Sequence, residues 1–529
     1  MTATPSPSHP IDAAGDSLTR PAAQLLQALQ QAAVPVPETD DLVRIPDTAD
    51  NAYWAYEQLR NAVEYQEQHL LMRSSIGRFL NRHFEEDVAT SNTGYELVRE
   101  LTKTRYLANS SVQESLVDGL NRRLVAYQQL NARVGQHGRQ GRYVSRIIDI
   151  ASADLQNMLL PNPQQTALIN FTFHSLYGNL ETSQPLSEAR AAALYAAVHR
   201  ALLKSDEATI SFYMFNNQFV QWHRDDRSIE AAAARLPDFF KFLNSVLYGD
   251  DSYQMNKLAR QNIAPYIILH STLQELKDPV PLLTQPAKLL HKAEEVAAVQ
   301  YKRVKKRLRS SVIRAIIFLL ITKMIVGLAL EVPYDLYVYG ELHPVPLLIN
   351  LLFPPLYMLF LGLTIKTPDY RNTDRIVRDL RATLYGGKLH YRLPRGKHEK
   401  TSTGFNVLYG LVTLALLAGI TWILYRIGYN AASAVIFFIF LSTVSFFGYR
   451  ISQSVRELRV IEQGTTLDAL ASVIFTPFIR LGQWLSSRYS KVNIFIIVLD
   501  FIIEAPLKTL LRLYEQWLAF LREKQDDVL

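Results

Sequence analysis

The chain has 529 residues, no cysteine and a formal net charge of +7, so disulfides, thiolate metal sites and cysteine nucleophiles are excluded. The positive charge is local: residues 301–314 hold seven Lys/Arg and no Asp/Glu, residues 366–405 are net +6, and the remainder is therefore net −6. The amino-terminal part thus lacks the positive face that nucleic acid requires, and no nucleic-acid partner is expected.

Residues 1–48 begin "MTATPSPSHPIDAAGDSLTR", which has neither the basic start nor the apolar core of a secretory signal. They read as a disordered leader, with room for a short amphipathic helix around "AAQLLQALQQAA". Residues 49–310 read as an all-α cytoplasmic domain, because apolar residues recur at three- and four-residue steps and no strand-like alternation interrupts them. One long helix places Tyr53, Tyr56, Leu59, Val63, Leu70 and Leu80 on a shared side. A second is expected over 93–133, ended by "GQHGRQG". Shorter helices fit 143–159, 186–204, 206–222, 228–247 and 252–276, with prolines at the connections. In "FYMFNNQFVQWHRDD", residues 212–226, the aromatic spacing points to a packed helix core.

Crossing about 30 Å of hydrocarbon takes roughly 20 apolar residues. Within residues 311–451, the stretches 312–332, 345–365, 406–427 and 431–450 meet that test, joined by a basic loop over 366–405. The connection "PYDLYVYGEL" has no Lys/Arg, whereas the other flanks are basic, so both termini and the central loop are expected in the cytoplasm. Residues 452–529 read as interfacial or re-entrant elements followed by a sharply amphipathic carboxyl-terminal helix, whose apolar face includes Leu507, Leu511, Tyr514, Trp517 and Leu518. The expected fold class is all-α: a multi-pass α-helical membrane protein with a large amino-terminal cytoplasmic helical domain and amphipathic C-terminal helices.

Catalytic signatures are missing. Gly387-Lys388 and Gly396-Lys397 are followed by Leu and His instead of the hydroxyl a phosphate loop needs, and "HEKTS" lacks the second histidine of a zinc protease helix. No G-x-S-x-G elbow and no Glu-x-x-His pair occurs. His69 and His83 share a helix face but stand roughly 21 Å apart along it, too far to share a metal. No enzyme activity, cofactor or metal is expected.

Two places could carry chemistry. Lys323 lies about 13.5 Å into the first expected span, counted from Arg314, where an ammonium must face protein or water. Two kinds of partner are open to it. Pro354 and Pro355 free the carbonyls of Asn350 and Leu351 in the second span, and Asp500 and Glu504 could neutralise it if their segment dips into the bilayer. The second place is "GGKLHYRLPRGKHEK", where Lys388, Arg392, Arg395 and Lys397 could bind an anionic head group or merely hold a basic loop inside. The expected partners are the lipid bilayer, anionic lipids of the cytoplasmic leaflet, and a protein partner or a second copy. The function expected from these residues is a non-enzymatic membrane-anchored scaffold or partner-binding protein; the alternative is a channel or transporter component using Lys323 and the Pro-broken second span.

Overall fold

A computed structural model describes residues 17–32, 41–46, 70–85, 92–134, 143–182, 185–276, 278–326, 331–338, 344–394, 403–460 and 466–489, with single positions 54, 57, 58, 329, 340 and 396. The protein is predominantly helical and divides into two compact units. One comprises residues 27–177, 182–259 and 493–529, the other 1–26, 178–181 and 260–492. Asp500, Glu504 and the carboxyl-terminal amphipathic segment lie outside the described residues, as do His69, Arg395 and Lys397.

Helix α1 (Arg20–Ala32) forms where the sequence leaves room for a short amphipathic helix in the leader. Its Leu25 and Leu29 are buried. Thr19, just before it, donates from its backbone N–H to the Leu384 carbonyl and from its hydroxyl to the Thr383 carbonyl, both at 2.8 Å.

The unit that holds most of residues 27–259 is built from α2 (Leu71–Glu85), α3 (Thr93–Lys103), α4 (Glu114–Val134), α5 (Val144–Leu159), α6 (Pro163–Gly178), α7 (Glu188–Leu202), α8 (Glu207–Gln218), α9 (Asp226–Tyr248) and α10 (Asp250–Asn262). Three helices begin where a short polar side chain accepts from a free backbone N–H: Ser187, Asp206 and Asp225 accept from Arg190, Thr209 and Ser228. Helix α5 is the hub, packed against α2, α4 and α8, and Ala151 and Leu155 are fully buried on it. The aromatic stretch at 212–226 is packed core: Phe215, Phe219 and Trp222 are buried, with Trp222 4.7 Å from the Tyr127 ring.

The single helix expected over 93–133 is two. Arg105 and Ser110 adopt left-handed φ of 62° and 56°, and Asn109 between them clamps Ile45, accepting from its N–H at 3.0 Å and donating to its carbonyl at 2.8 Å. A side chain that bonds backbone two ways is worth more in a turn than in a helix. The helix expected over 252–276 also divides, at Ile263, and Pro265 opens the first turn of the next helix.

The other unit holds α11 (Ala264–Gln274), α12 (Val280–Leu283), α13 (Pro286–Val326), α14 (Val332–Val338), α15 (Pro344–Thr364), α16 (Tyr370–Tyr385), α17 (Thr403–Arg426), α18 (Ala431–Arg456) and α19 (Thr466–Tyr489). A two-residue parallel pair joins β1 (Leu180–Glu181) to β2 (Tyr391–Arg392). Helix α16 occupies the segment read as a basic loop; Asp369 caps it, and Ile376, Leu380 and Leu384 bury its apolar face. Asn372 on α16 binds three places at once. Its amide donates to the Tyr301 hydroxyl on α13 at 2.8 Å and to the Leu458 carbonyl at 2.7 Å, and it accepts from the Val460 N–H at 2.7 Å.

Three helical stretches are long and apolar enough to cross a membrane: Pro344–Thr364, Val407–Arg426 and Ser433–Gln453. They match the second, third and fourth expected spans. The first expected span, 312–332, is instead the end of the 41-residue α13, which stops at Val326. Glycines let these helices approach closely. A Cβ on Gly362 would stand 2.7 Å from Val312, and one on Gly448 2.8 Å from Leu361. One on Gly482 of α19 would collide with the Ser442 carbonyl, midway along α18. Helix α19 therefore does not lie beside the bundle's end but folds back along α18, with Phe478 in the bundle core. Among the described side chains of α17, Tyr409, Thr413, Leu416, Ile420 and Leu424 turn inward. Its Ala415 and Gly419 are exposed, and a Cβ on Gly419 meets nothing.

The two kinds of glycine make opposite predictions. Gly419→Ala should gain up to about 1 kcal/mol from helix propensity, whereas Gly482→Ala should lose about 1–3 kcal/mol by forcing α19 off α18. Thermal unfolding of the purified protein, followed by circular dichroism, separates the two; equal responses would mean that α18 and α19 are not in contact.

Candidate functional site

The bundle's interior is largely apolar, and at the carboxyl end of α13 a lysine that would be costly alone meets a carboxylate. Lys323 and Glu331 are 1% and 4% exposed, and the ammonium donates to Glu331 Oε1 at 2.5 Å. In an unbroken helix these residues would be about 12 Å apart along the axis. A regular α-helix would therefore not bring them together; α13 is described to Val326, and Glu331 sits in a wide π-type turn just before α14. The expected continuous span fails here because its two ionic side chains must meet.

The carboxylate's other oxygen accepts from Asn350 Nδ2 at 3.1 Å. Asn350 Nδ2 also lies 3.5 Å from the Ser433 carbonyl, and its Oδ1 accepts from the Tyr429 hydroxyl at 3.3 Å. Asn350 is six residues into α15, roughly 9 Å from its start. The Lys323 ammonium also stands 4.5 Å from the Phe440 ring centroid, nine residues into α18, a favourable cation–π placement. Beside this cluster Asn430 caps α18 by accepting from the Ser433 N–H at 2.7 Å and donates to Asp335 at 2.8 Å. Asp335 is 5% exposed. Farther along α15, Tyr357 and Ser445 share a hydrogen bond of 3.0 Å.

Lys323 and Asn350, both singled out from sequence, are thus joined, but by a side chain the sequence reading passed over. The partner is Glu331; Pro354 and Pro355 are buried within α15. The signal for Glu331 was present: a second charge, of opposite sign, inside the same expected span. Asp335, Tyr429 and Asn430 carried no comparable signal, because each lies in what reads as a connection.

Of the other candidate group, Lys388 and Arg392 are described. Lys388 is exposed, while Arg392 on β2 pairs with Glu181 at 3.1 Å and His390 stands 3.4 Å from the same carboxylate. Among the described residues no group of three or more His, Cys, Asp or Glu could hold a metal ion. No family model, curated protein or solved structure matches the chain.

The unit of residues 27–259 has buried polar groups of its own. Asp154 accepts from Arg123 at 2.5 Å and from the Tyr127 hydroxyl at 2.9 Å; burial pushes its carboxyl above the ordinary range, and Arg123 opposes this. His199 is fully buried between the Tyr195 and Tyr213 rings, each 4.8 Å away. Its Nδ1 lies 3.3 Å from the Ser205 hydroxyl. Burial pushes its pKa down from 6.5 to about 3.

Two predictions follow the two buried sites. Replacing Lys323 by Met strands the Glu331 carboxylate and should cost about 3–5 kcal/mol, as should Glu331→Gln for the ammonium, while the double variant should recover most of the loss. A double-mutant cycle on thermal unfolding reads this coupling; additive losses would show that the pair is not formed. For His199 the sign is acid-destabilising. As pH falls below 6.5 the unfolded chain takes up a proton that the native imidazole refuses until about pH 3, so stability should drop by up to about 1.4 kcal/mol per pH unit across that window. Denaturant unfolding at pH 7 and pH 5 should show a smaller drop in His199→Asn than in wild type.

Proposed function

We propose that this is a non-enzymatic, multi-pass membrane protein that serves as an anchored platform. Its apolar helices hold it in the bilayer, and the helical unit of residues 27–259 offers a surface to a protein partner or a second copy. Under the positive-inside rule the basic flanks of the bundle favour a cytoplasmic side for residues 1–311, 367–405 and 451–529, a layout in which the apolar end of α13 crosses together with Pro344–Thr364, Val407–Arg426 and Ser433–Gln453. Exposed aromatics support the membrane reading: Trp422 and Tyr425 close one end of α17, and Tyr370 stands at the start of α16, where amphipathic rings favour an interface.

The observation that carries the platform reading is the closure of the polar cluster. Lys323, both oxygens of Glu331 and both ends of the Asn350 amide find partners inside the protein, which suits a pin holding α13, α15 and α18 together and leaves a passing solute nothing to bind. A second reading, a channel or transporter component, has one specific observation in its favour: two buried carboxylates, Glu331 bonded to Lys323 and Asp335 bonded to Asn430, lie in one polar cluster beside α15, which carries Pro354 and Pro355.

One set of vesicles tests both. In the cysteine-free chain, Leu336→Cys should react with an impermeant reagent from the extracytoplasmic side and Lys388→Cys should not. Wild type and Lys323→Met should both be silent in ion-flux assays, with the variant unfolding at lower temperature. Reversed labelling would overturn the orientation. Wild-type flux that the substitution abolishes without destabilising the fold would overturn the platform reading in favour of transport.

A further inference from the structure

Helix α13 changes character near residue 300. Before that point its charges are answered by nearby carboxylates: Lys292 is 3.2 Å from Glu295 and 3.8 Å from Glu275, and His291 stands beside Glu294 and Glu295. Beyond it, Lys302, Arg303, Lys305, Lys306, Arg307, Arg309 and Arg314 are all exposed. Among the described residues none of them makes an ion pair. They lie off the stripe Tyr301, Val304, Leu308, Val312 and Leu319 that faces the bundle.

Immediately past them the same helix exposes Ile317, Phe318, Leu320, Ile321, Met324 and Ile325. One rigid helix therefore carries an exposed apolar band and an uncompensated cationic band, with the change at Ile313 and Arg314. Its position is fixed on the basic side of that change by Asn372 on Tyr301 and Gly362 against Val312, and on the apolar side by Lys323 on Glu331. The adjacency selects the occupant. A nucleic acid or an acidic protein would satisfy the cations and leave the apolar band wet, whereas a lipid leaflet satisfies both with one molecule.

We propose that residues 302–314 of α13 bind the phosphates of several anionic phospholipids, and that this collar, in place of the 388–397 segment, is the protein's head-group site. Arg392 of that segment already has Glu181 as its partner. The inference rests on the membrane reading above and adds the chemistry of the leaflet. Height divides the labour. Arg309 and Arg314 lie within about 7.5 Å of each other along the axis and at the apolar boundary, so they touch phosphates directly. Lys302 to Arg307 stand about 10–18 Å beyond Arg314 and act across water, where salt screens over about 8–10 Å.

The full-length protein in nanodiscs of phosphatidylcholine, with increasing phosphatidylglycerol, tests this. The unfolding temperature should rise by several degrees, gradually with the anionic fraction, because a ligand that prefers the native state stabilises it. A Lys302→Gln, Arg303→Gln, Lys305→Gln, Lys306→Gln variant should lose the part of that rise that added salt removes. Arg309→Gln with Arg314→Gln should lose the salt-resistant part, and Lys388→Gln with Arg392→Gln should lose neither; all three should unfold like wild type in neutral discs. A wild-type temperature indifferent to phosphatidylglycerol would overturn the collar, as would a rise abolished by the 388/392 variant or reproduced by inorganic phosphate in neutral discs. Failure of the protein to enter neutral discs at all would instead overturn the membrane reading on which the collar rests.

Discussion

An ammonium placed among apolar helices has to be neutralised where it stands, and much of the bundle's form answers to that one requirement. Lys323 obtains Glu331 only because α13 stops at Val326 and the chain turns before α14. Glu331 then needs a donor for its second oxygen, which places Asn350 of α15 against it. Asn350 in turn draws in Tyr429 and the Ser433 carbonyl at the start of α18. A local electrostatic debt thus becomes the register in which three helices meet, and the glycine contacts farther along, Gly362 on Val312 and Gly448 on Leu361, keep that register by close approach.

The two units solve the buried-charge problem in different ways. In the unit of residues 27–259, Asp154 is held by Arg123, whose other nitrogen stands 3.1 Å from His223 at the surface, so the network has an outlet to water. Among the described residues no such outlet serves Lys323, whose ammonium also meets the face of Phe440. The first arrangement tolerates fluctuation because water can stand in for a lost partner; the second depends on every member being present.

The sequence made some of this visible for physical reasons. Helical class was legible from periodicity, and Lys323 stood out because its cost at that depth is large. Asn350 was reached through its backbone carbonyl, freed by Pro354, whereas the structure uses its side-chain amide. Glu331 was missed because a span counted as one helix puts positions 323 and 331 two turns apart, and only a break brings them together. Helix α16 was hidden by its arginines, although Asp369 and the spacing of Ile376, Leu380 and Leu384 spell a capped amphipathic helix. The break at Asn109 was invisible because its reason lies in Ile45, sixty-four residues earlier. The depth reached by α19 was equally unreadable: Pro477 and Arg480 suggest a surface element until Gly482 is seen against Ser442.

Helix α13 contains no glycine, and no proline after Pro286, so it has no joint along its 41 residues. From Lys323 to Pro286 it measures about 55 Å, with its buried end gripped and its basic stretch at the boundary between apolar and charged surface. Such an element behaves as a lever. A tilt of about 5° at the gripped end would sweep the other end through about 5 Å, and with no hinge to absorb it that motion would arrive undiminished at α11 and α12, the short helices against which the far end is seated.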